Sequence, residues 1–334
     1  MVRIYWHFRT LLAWSLAVLA FIAFALTNPA FLNAGNLYSL LQSFAVLALV
    51  ATGLAIVMIA GEFDLSIAGT IPLAGLIAVK VGETAGIPLG VAAAIAVTVA
   101  VGVLNGWLTA HYAVPSLAVT VGTLVLTIGL GFAVAGGKIV TLTDFEPGLW
   151  LDQAIAEIVS PRALLHVVLV VAAGWFMAKT WSGMKLRAVG SDRQRSSASG
   201  LPVTRVLILA FVISGLFAGV AGALQGLTLA SGAPGSDEAT LLQAVTAAII
   251  GGVALTGGKG SIPGVAAGAM LLAVVGNGLS LQGTSTAIIQ LINGGILLLI
   301  VVIDRPLNRI VNKSVENSMS TSHHRVPTNP LGSP

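Results

Sequence analysis

The sequence predicts an all-α, polytopic membrane protein with about ten transmembrane helices. Two observations of composition carry this prediction: 56% of the 334 residues are hydrophobic, and only 8% are charged. A soluble domain is on average about 25% charged, so 16 basic and 12 acidic residues are too few to cover a globule of this size. The third observation is that long apolar runs recur along the chain. Together they exclude an ordinary soluble enzyme, a disordered chain and a nucleic-acid-binding protein.

A membrane-spanning helix needs roughly 20 mostly apolar residues. Runs of this kind predict ten spans, at 11–27, 38–60, 65–81, 87–110, 116–136, 163–179, 204–230, 240–256, 262–281 and 286–303. The segments 65–81 and 240–256 are short and interrupted by Pro or Gly, so we expect a broken or re-entrant helix at either. The first run lacks a small-residue cleavage site after it, and we expect it to remain as a span rather than to be removed as a leader.

The orientation follows from the basic residues, because positive charge in short loops marks the cytoplasmic side. With both termini in the cytoplasm, thirteen basic residues lie inside and three lie outside, while Asp237 and Glu238 fall in an outer loop. We expect residues 1–311 to form the transmembrane domain and the Ser-, Asn- and Pro-rich segment 312–334 to be a disordered cytoplasmic tail. The predicted location is the bacterial inner membrane.

Glycine makes up 39 of the 334 residues, and its spacing is informative. Small residues four apart allow membrane helices to approach closely. Such pairs are Gly86/Gly90, Gly102/Gly106, Gly215/Gly219, Gly222/Gly226 and Gly264/Gly268. Adjacent glycines weaken a helix, so we expect breaks at 251–252, 257–258 and 294–295. A weak echo between 101–108 and 275–279 favours two inverted five-helix halves as one arrangement.

Ionisable residues at membrane depth mark ion or proton pathways, and the predicted spans carry them only near their ends. This disfavours an ion-coupled carrier. Neutral polar residues remain as candidates to line a pathway for an uncharged solute: Asn105, Gln225, Gln243, Asn277 and Asn293. Hydrogen bonds between packed helices are the alternative role for them. Cys is absent, no nucleotide-binding motif is present, and we predict no catalytic residue, no metal site and no cofactor.

The inner loop 180–202 is the most distinctive soluble segment. A short helix is predicted from Asp192 to Ser199, with Ser191 or Asp192 at its start and Gly200 at its end. A charged cytoplasmic helix between long spans is a suitable contact for an ATPase. The candidate coupling residues are Gly190, Ser191, Asp192, Arg193, Arg195 and Gly200. The alternative is a basic loop that fixes topology and has no partner.

Three segments resemble the permease subunits of bacterial ABC importers for ribose and related monosaccharides. Residues 61–69 are similar to the family's G-G-I-D-L-S-V-G signature, with Gly61, Asp64, Leu65 and Ser66 as the matching residues. Residues 188–203 resemble its cytoplasmic coupling segment, and residues 246–304 resemble its C-terminal block. Glu62 and Phe63 depart from the signature, and basic residues and serines depart from the coupling segment of many relatives.

The resemblance implies a permease that is not itself an enzyme, because ATP hydrolysis is expected on separate ABC ATPase subunits. It further implies a periplasmic or lipid-anchored sugar-binding protein, a second permease copy or a sister permease, and contact with membrane lipid but not with nucleic acid. We therefore expect a small neutral sugar, a ribose-like pentose, a hexose or a polyol, to pass inward by alternating access. An ion-coupled secondary carrier and a passive channel for small polar solutes remain the alternatives. We expect Asp64 to cap the third span rather than to contact sugar.

Overall fold

The structure is a computed structural model that describes residues 2–299 and residue 302. The predicted tail at 312–334 and the predicted domain boundary before it lie outside these residues. The helices are α1 Val2–Thr27, α2 Ala34–Ile59, α3 Ile67–Ala85, α4 Ile87–His111, α5 Ser116–Ala135, α6 Glu146–Leu151, α7 Pro161–Lys179, α8 Trp181–Ser191, α9 Arg193–Ala198, α10 Val203–Thr228, α11 Glu238–Ile250, α12 Ile262–Leu281 and α13 Thr286–Leu299. A 3₁₀ turn, Pro29–Leu32, precedes α2.

The predicted spans correspond to helices of the described chain. By length and composition, eight of the described helices could cross a membrane, namely α1 from Arg9 onward, α2, α3, α4, α5, α7, α10 and α12. The eighth and tenth predicted spans are the shorter apolar helices α11 and α13. The prediction of an all-α, polytopic membrane protein is therefore confirmed. The eighth span is short, as its Gly content predicted.

Helices α2, α3 and α10 lie in the middle of the bundle. The most apolar window of α2 is 83% buried and that of α10 is 67% buried, whereas the corresponding window of α1 is only 11% buried. The outward faces of α1, α5 and α7 expose leucine and valine side chains, such as Leu126 and Val171. Apolar side chains on the outside and close packing inside are what a lipid environment favours.

Local side-chain bonds explain where several helices begin. Five helices begin after a residue whose side chain accepts a hydrogen bond from a backbone N–H of the first turn. These residues are Ser160, Thr180, Asp192, Asp237 and Ser261. These bonds satisfy N–H groups that have no partner within the helix. Asp192 as the cap of α9 agrees with the prediction. Helix α8, which directly precedes it, was not predicted, because its Gly, Lys and Arg content is typical of a loop.

Three predicted breaks have different outcomes. Helix α11 ends at Ile250, and Gly252, Gly257 and Gly258 have positive φ angles, so the predicted breaks at 251–252 and 257–258 are confirmed. The predicted break at 294–295 is wrong, because both glycines lie inside α13. The third span is also continuous: α3 accommodates Pro72 within its first two turns.

A short antiparallel strand pair lies on one side of the bundle. Strand β1, Val140–Thr141, pairs with β2, Ser231–Gly232. Helix α6 ends at Leu151, and residues 155 and 159 form an isolated bridge beyond it. The side chains of Leu149 and Trp150 in α6 are exposed.

The predicted glycine pairs lie where helix backbones meet. A Cβ atom at Gly106 would lie 2.6 Å from the Cα atom of Ile208, and one at Gly226 would lie 2.7 Å from the Cα atom of Gly75. Both members of four of the five pairs are in such close contacts. Gly86 is the exception, because it ends α3 with a φ of 94° and faces open space.

The two predicted halves have matching helix partners. Helix α10 packs against α3 and α4 of the first half, while α2 packs against α11 and α12 of the second. In each half an extended segment, 60–66 or 229–237, leads into the helix that follows. This correspondence supports the predicted inverted repeat.

Candidate functional site

Asp64 ties three parts of the bundle together. One carboxylate oxygen, Oδ1, accepts hydrogen bonds from the backbone N–H of Ser66 at 3.0 Å and from its hydroxyl at 2.5 Å. The other, Oδ2, accepts a bond from the Ser214 hydroxyl of α10 at 2.7 Å. The Asn105 side chain of α4 donates to the Ser66 hydroxyl at 2.9 Å. We call these four residues the Asp64 cluster.

The cluster lies inside the bundle. Asp64 is 2% exposed and Asn105 is fully buried. Asn105 is six residues before the end of α4, or about 9 Å at 1.5 Å per residue. Asp64 lies between the end of α2 and the start of α3, as predicted, but it is buried among the helices. Its hydrogen bonds are all internal, which is how a buried polar group avoids the cost of desolvation.

The expected capping role of Asp64 is wrong in its detail. Ser66, not Asp64, stands at the N-cap of α3, and it makes no side-chain cap bond. Asp64 instead accepts from the N–H two residues ahead, which fixes the turn before the helix begins. Leu65, between them, packs against the main core.

The coupling segment, residues 181–200, lies at one end of the bundle. Asp192 Oδ1 accepts from the N–H of Arg195 at 2.8 Å, and Gly200 ends the segment with a φ of 78°. Ser191 ends α8 and donates its hydroxyl to Arg187 O at 2.8 Å. Apart from Ser196, the side chains of α9 are exposed. Arg195 in particular is 89% exposed and pairs with Asp192 at 3.0 Å.

Three segments meet closely at Gly190. We call the four glycines of this contact the glycine junction: Gly61, Gly190, Gly257 and Gly258. A Cβ atom at Gly257 would lie 2.6 Å from Gly61 Cα and 2.7 Å from Gly190 O. The N–H of Gly258 donates to Ile59 O at 2.8 Å. Only residues without a Cβ atom allow backbones to approach this closely. The junction joins α8 to the end of α2 and to the loop between α11 and α12.

Two arginines strengthen this connection. Arg187 of α8 donates to Gly260 O at 2.6 Å. Arg193 of α9 pairs with Glu62 at 3.0 Å and reaches Thr109 O of α4 at 3.4 Å. Burial raises the pKa of the Glu62 carboxyl, against the hydrogen bond from Ser116 and the positive charge of Arg193, which lower it. The coupling segment is thereby bonded to the end of α2, to α4 and to the 251–261 loop.

A groove of about 350 Å³ lies between α11 and α13. Its polar lining residues are Glu238, Gln243, Thr246, Gln290 and Asn293. This volume lies at the small end of the range for sites that bind small molecules. Two of the predicted pathway residues, Gln243 and Asn293, come together here.

The segment that leads into α11 folds back along α3. A Cβ atom at Gly232 would lie 2.5 Å from Leu76 Cα, and the N–H of Asp237 donates to Ala68 O at 2.8 Å. Leu76 and Ala68 lie about 12 Å apart along the axis of α3, and the segment 232–237 covers this distance beside the helix. Asp237 is therefore half-buried beside the start of α3, whereas the side chain of Glu238 is exposed. Their place in an outer loop stays a prediction.

The other predicted pathway residues lie apart from the groove. Gln225 lines a second cavity of about 140 Å³ between α3 and α10. Asn277 exchanges two hydrogen bonds with Asn36, of 2.9 and 3.0 Å, and Asn105 belongs to the Asp64 cluster. Pathway lining stays a prediction for all five. Sequence reasoning missed Glu238, because two acidic residues after Gly and Pro are typical of an exposed loop.

Known proteins resemble the chain over most of its length. Residues 36–301 match the family described as branched-chain amino acid transport system / permease component. The L-arabinose transport system permease protein AraH of Escherichia coli is 34% identical over 286 residues, which cover 85% of this chain and 87% of that protein. The L-arabinose ABC transporter permease protein AraH of Azospirillum brasilense is 32% identical, with 85% and 84% covered.

A third relative, the ribose import permease protein RbsC of Escherichia coli, is 30% identical over 296 residues, which cover 86% of this chain and 92% of that protein. The signature segment and the coupling segment both lie within the matched residues 36–301. The chain belongs to this family of ABC-importer permease components.

Proposed function

We propose that this chain is the permease subunit of an ATP-driven importer that passes a small neutral monosaccharide inward by alternating access. The observation that carries the proposal is the groove between α11 and α13, whose lining combines amide, hydroxyl and carboxylate groups. Such groups exchange hydrogen bonds with sugar hydroxyls. The L-arabinose and ribose permeases among the relatives support a sugar as the substrate.

The energy enters through separate ATPase subunits that bind the coupling segment. The exposed α9 helix offers the contact, and Arg193 and the glycine junction link it to helices that hold the groove. Gly251, at the C-terminal end of α11, lies directly beside α12, and the loop that follows contacts α8 through Gly258. Movement of α8 and α9 therefore reaches one wall of the groove through a short chain of backbone contacts.

The remaining assembly follows from membership of the family and from the charges. A periplasmic or lipid-anchored sugar-binding protein delivers substrate, and a second permease copy or a sister permease completes the membrane unit. The charge distribution, with thirteen basic residues on one side against three on the other, favours a cytoplasmic location for both termini. The chain is accordingly a multi-pass protein of the bacterial inner membrane.

Asp64 does not favour an ion-coupled carrier, although it is a carboxylate inside the bundle. Its two oxygens accept three hydrogen bonds from Ser66 and Ser214, so its role is structural. An ion-coupled carrier also has no need of the coupling segment.

Uptake in proteoliposomes tests the proposal. The chain is reconstituted with its cognate ATPase and binding protein, and labelled L-arabinose, D-ribose and D-xylose are supplied with ATP inside or outside. We expect inward transport of at least one pentose that depends on ATP at the ATPase. Uptake driven by an ion gradient without ATP, or equal flux in both directions without ATP, would overturn the proposal.

A further inference from the structure

We propose that Glu238 and Asn293 form a hydroxyl-binding site for a monosaccharide, in the groove between α11 and α13 where α11 begins. The inference rests on the proposed function and deepens it, because it assigns substrate selection to the permease itself. It names Glu238, a residue that sequence patterns assign to an outer loop, as the main acceptor for sugar hydroxyls.

The position of Glu238 is the first argument. It is the first residue of α11, directly after Asp237, whose N–H is bonded to Ala68 O within the bundle. Its side chain is exposed and lines the groove. A few polar groups that converge on a groove fix the orientation of a bound ligand. Its carboxylate accepts a hydrogen bond from the Ser236 hydroxyl, and the described residues form no ion pair with it.

Asn293 is the second, independent argument. This side chain of α13 lines the same groove and is only 8% exposed. Its Oδ1 atom has no hydrogen-bond partner among the residues that the structure describes. Buried polar atoms are almost always paired. An unpaired acceptor beside an open groove indicates a ligand that donates a hydrogen bond there.

The chemistry of the groove selects the ligand class. Glu238 only accepts hydrogen bonds, whereas the amides of Gln243, Gln290 and Asn293 both donate and accept. Neighbouring hydroxyls of a sugar also donate and accept, so one can donate to the carboxylate while the next bonds an amide. A zwitterionic amino acid would place its ammonium group at Glu238, but the described lining residues include no cation to pair with its carboxylate.

A purely structural role for Glu238 is the competing explanation. A carboxylate in the first turn of a helix is stabilised by the helix dipole, but Asp237 already caps α11 by accepting from Thr240 N at 3.0 Å. The substitution Glu238→Asp keeps this charge and withdraws the carboxylate by one methylene. It therefore separates the dipole effect from sugar contact.

Thiol labelling tests the site directly, since the chain has no Cys of its own. Ala239→Cys places a unique thiol in the groove lining, and Leu126→Cys, 66% exposed on α5, is the control. The complete importer is reconstituted in nanodiscs and treated with a methanethiosulfonate reagent, and labelling of this chain is followed by mass spectrometry. L-arabinose, D-ribose, D-xylose and L-leucine are the protecting probes.

We expect a pentose at about ten times its half-protecting concentration to slow labelling of Ala239→Cys about tenfold. Neither L-leucine nor the Leu126→Cys control should show protection. Adding Glu238→Gln should raise the half-protecting concentration about tenfold, because a hydrogen bond to a charged group is lost. Glu238→Asp and Asn293→Ala should raise it as well, and Glu146→Gln, at the first residue of α6, should not.

The outcomes separate this inference from the proposed function. ATP-driven pentose uptake without protection of Ala239→Cys, or protection that Glu238→Gln and Asn293→Ala leave unchanged, would overturn the inference alone. An assembled wild-type importer that transports none of the three pentoses would overturn the proposed function and the inference with it.

Discussion

The backbone N–H of Asp237 donates a 2.8 Å hydrogen bond to the carbonyl oxygen of Ala68. The two residues stand at the beginnings of α11 and α3, the helices that follow the extended segment of each half. This bond joins the halves where both helices begin. Transporters commonly bind substrate beside helix ends of this kind, and the groove and Glu238 lie directly next to it.

The Asp64 cluster should stabilise the fold rather than bind substrate. In Asp64→Asn one carboxylate oxygen becomes an amide nitrogen, which cannot accept a hydrogen bond. Either Ser66 or Ser214 therefore loses its acceptor. We expect a loss of about 1–3 kcal/mol for the buried group left unpaired, measured as thermal unfolding in detergent. Ser214→Ala is the matched variant, and the double variant should cost less than the two losses together. An altered sugar concentration for half-maximal uptake with unchanged stability would show instead that Asp64 contacts substrate.

Gly190→Ala should uncouple ATP hydrolysis from transport. A Cβ atom there would collide with Ile59 O and lie 2.8 Å from Gly258 N, so the glycine junction must open. Overpacking of this kind costs about 1–3 kcal/mol. We expect ATPase activity to persist in the assembled importer while sugar uptake per ATP falls.

Gly129→Ala is the control for that experiment, because Gly129 lies in helix α5 and a Cβ atom there would meet nothing within 4 Å. Alanine there should keep transport and favour the helix by about 1 kcal/mol. Equal coupling ratios for both variants would show that the junction does not transmit motion.

Hydropathy predicts the spans because lipid-facing and core-facing helices are both apolar. Local chemistry predicts α9 equally well, since Asp192 and Gly200 act within the segment itself. The position of a segment within the bundle does not follow from its local sequence. Residues 229–237 have the Ser, Gly and Pro content of a surface turn, yet they pack along α3. For this reason the sequence pattern did not identify Glu238 as a lining residue of the groove.

The glycine predictions also succeed where local sequence is sufficient and fail where long-range contacts decide. Close approaches at Gly102 or Gly226 follow from spacing, because residues four apart share one face of a helix. At 294–295 the intrinsic cost of two glycines is overcome by the rest of α13, and both remain helical. The glycine junction could not be predicted, since its four members come from three segments that are distant in sequence.

Glu62 should make stability depend on pH in a direction that its environment sets. Burial raises its pKa above the ordinary 4.5, so the folded state binds this proton more tightly than the unfolded state. The Glu62 contribution to stability therefore decreases as the pH rises from 4.5 through the raised pKa. We expect the melting temperature of the wild type, relative to Glu62→Gln, to increase as the pH is lowered from neutrality toward 4.5.

Gly129→Ala is a suitable control for this measurement, because it changes no charge and a Cβ atom there would meet nothing within 4 Å. Its difference from the wild type should not follow the Glu62 pattern. A wild-type melting temperature that falls relative to Glu62→Gln as the pH is lowered would contradict the raised pKa and indicate that pairing with Arg193 dominates.

Asn277 offers a test of which polar residues line the pathway. Asn36 and Asn277 each donate to the other, at 3.0 and 2.9 Å, and Asn36 also donates to Phe31 O at 2.8 Å. We expect Asn277→Ala to lower stability by about 0.6 kcal/mol if this pair is typical of membrane helices, Asn36→Ala to lower it more, and both to leave uptake of pentose unchanged. Gln243→Ala in the groove should reduce uptake instead. If Asn277→Ala alone lowered uptake while Asn36→Ala did not, Asn277 would contact substrate and the pathway would extend beyond the groove along α12.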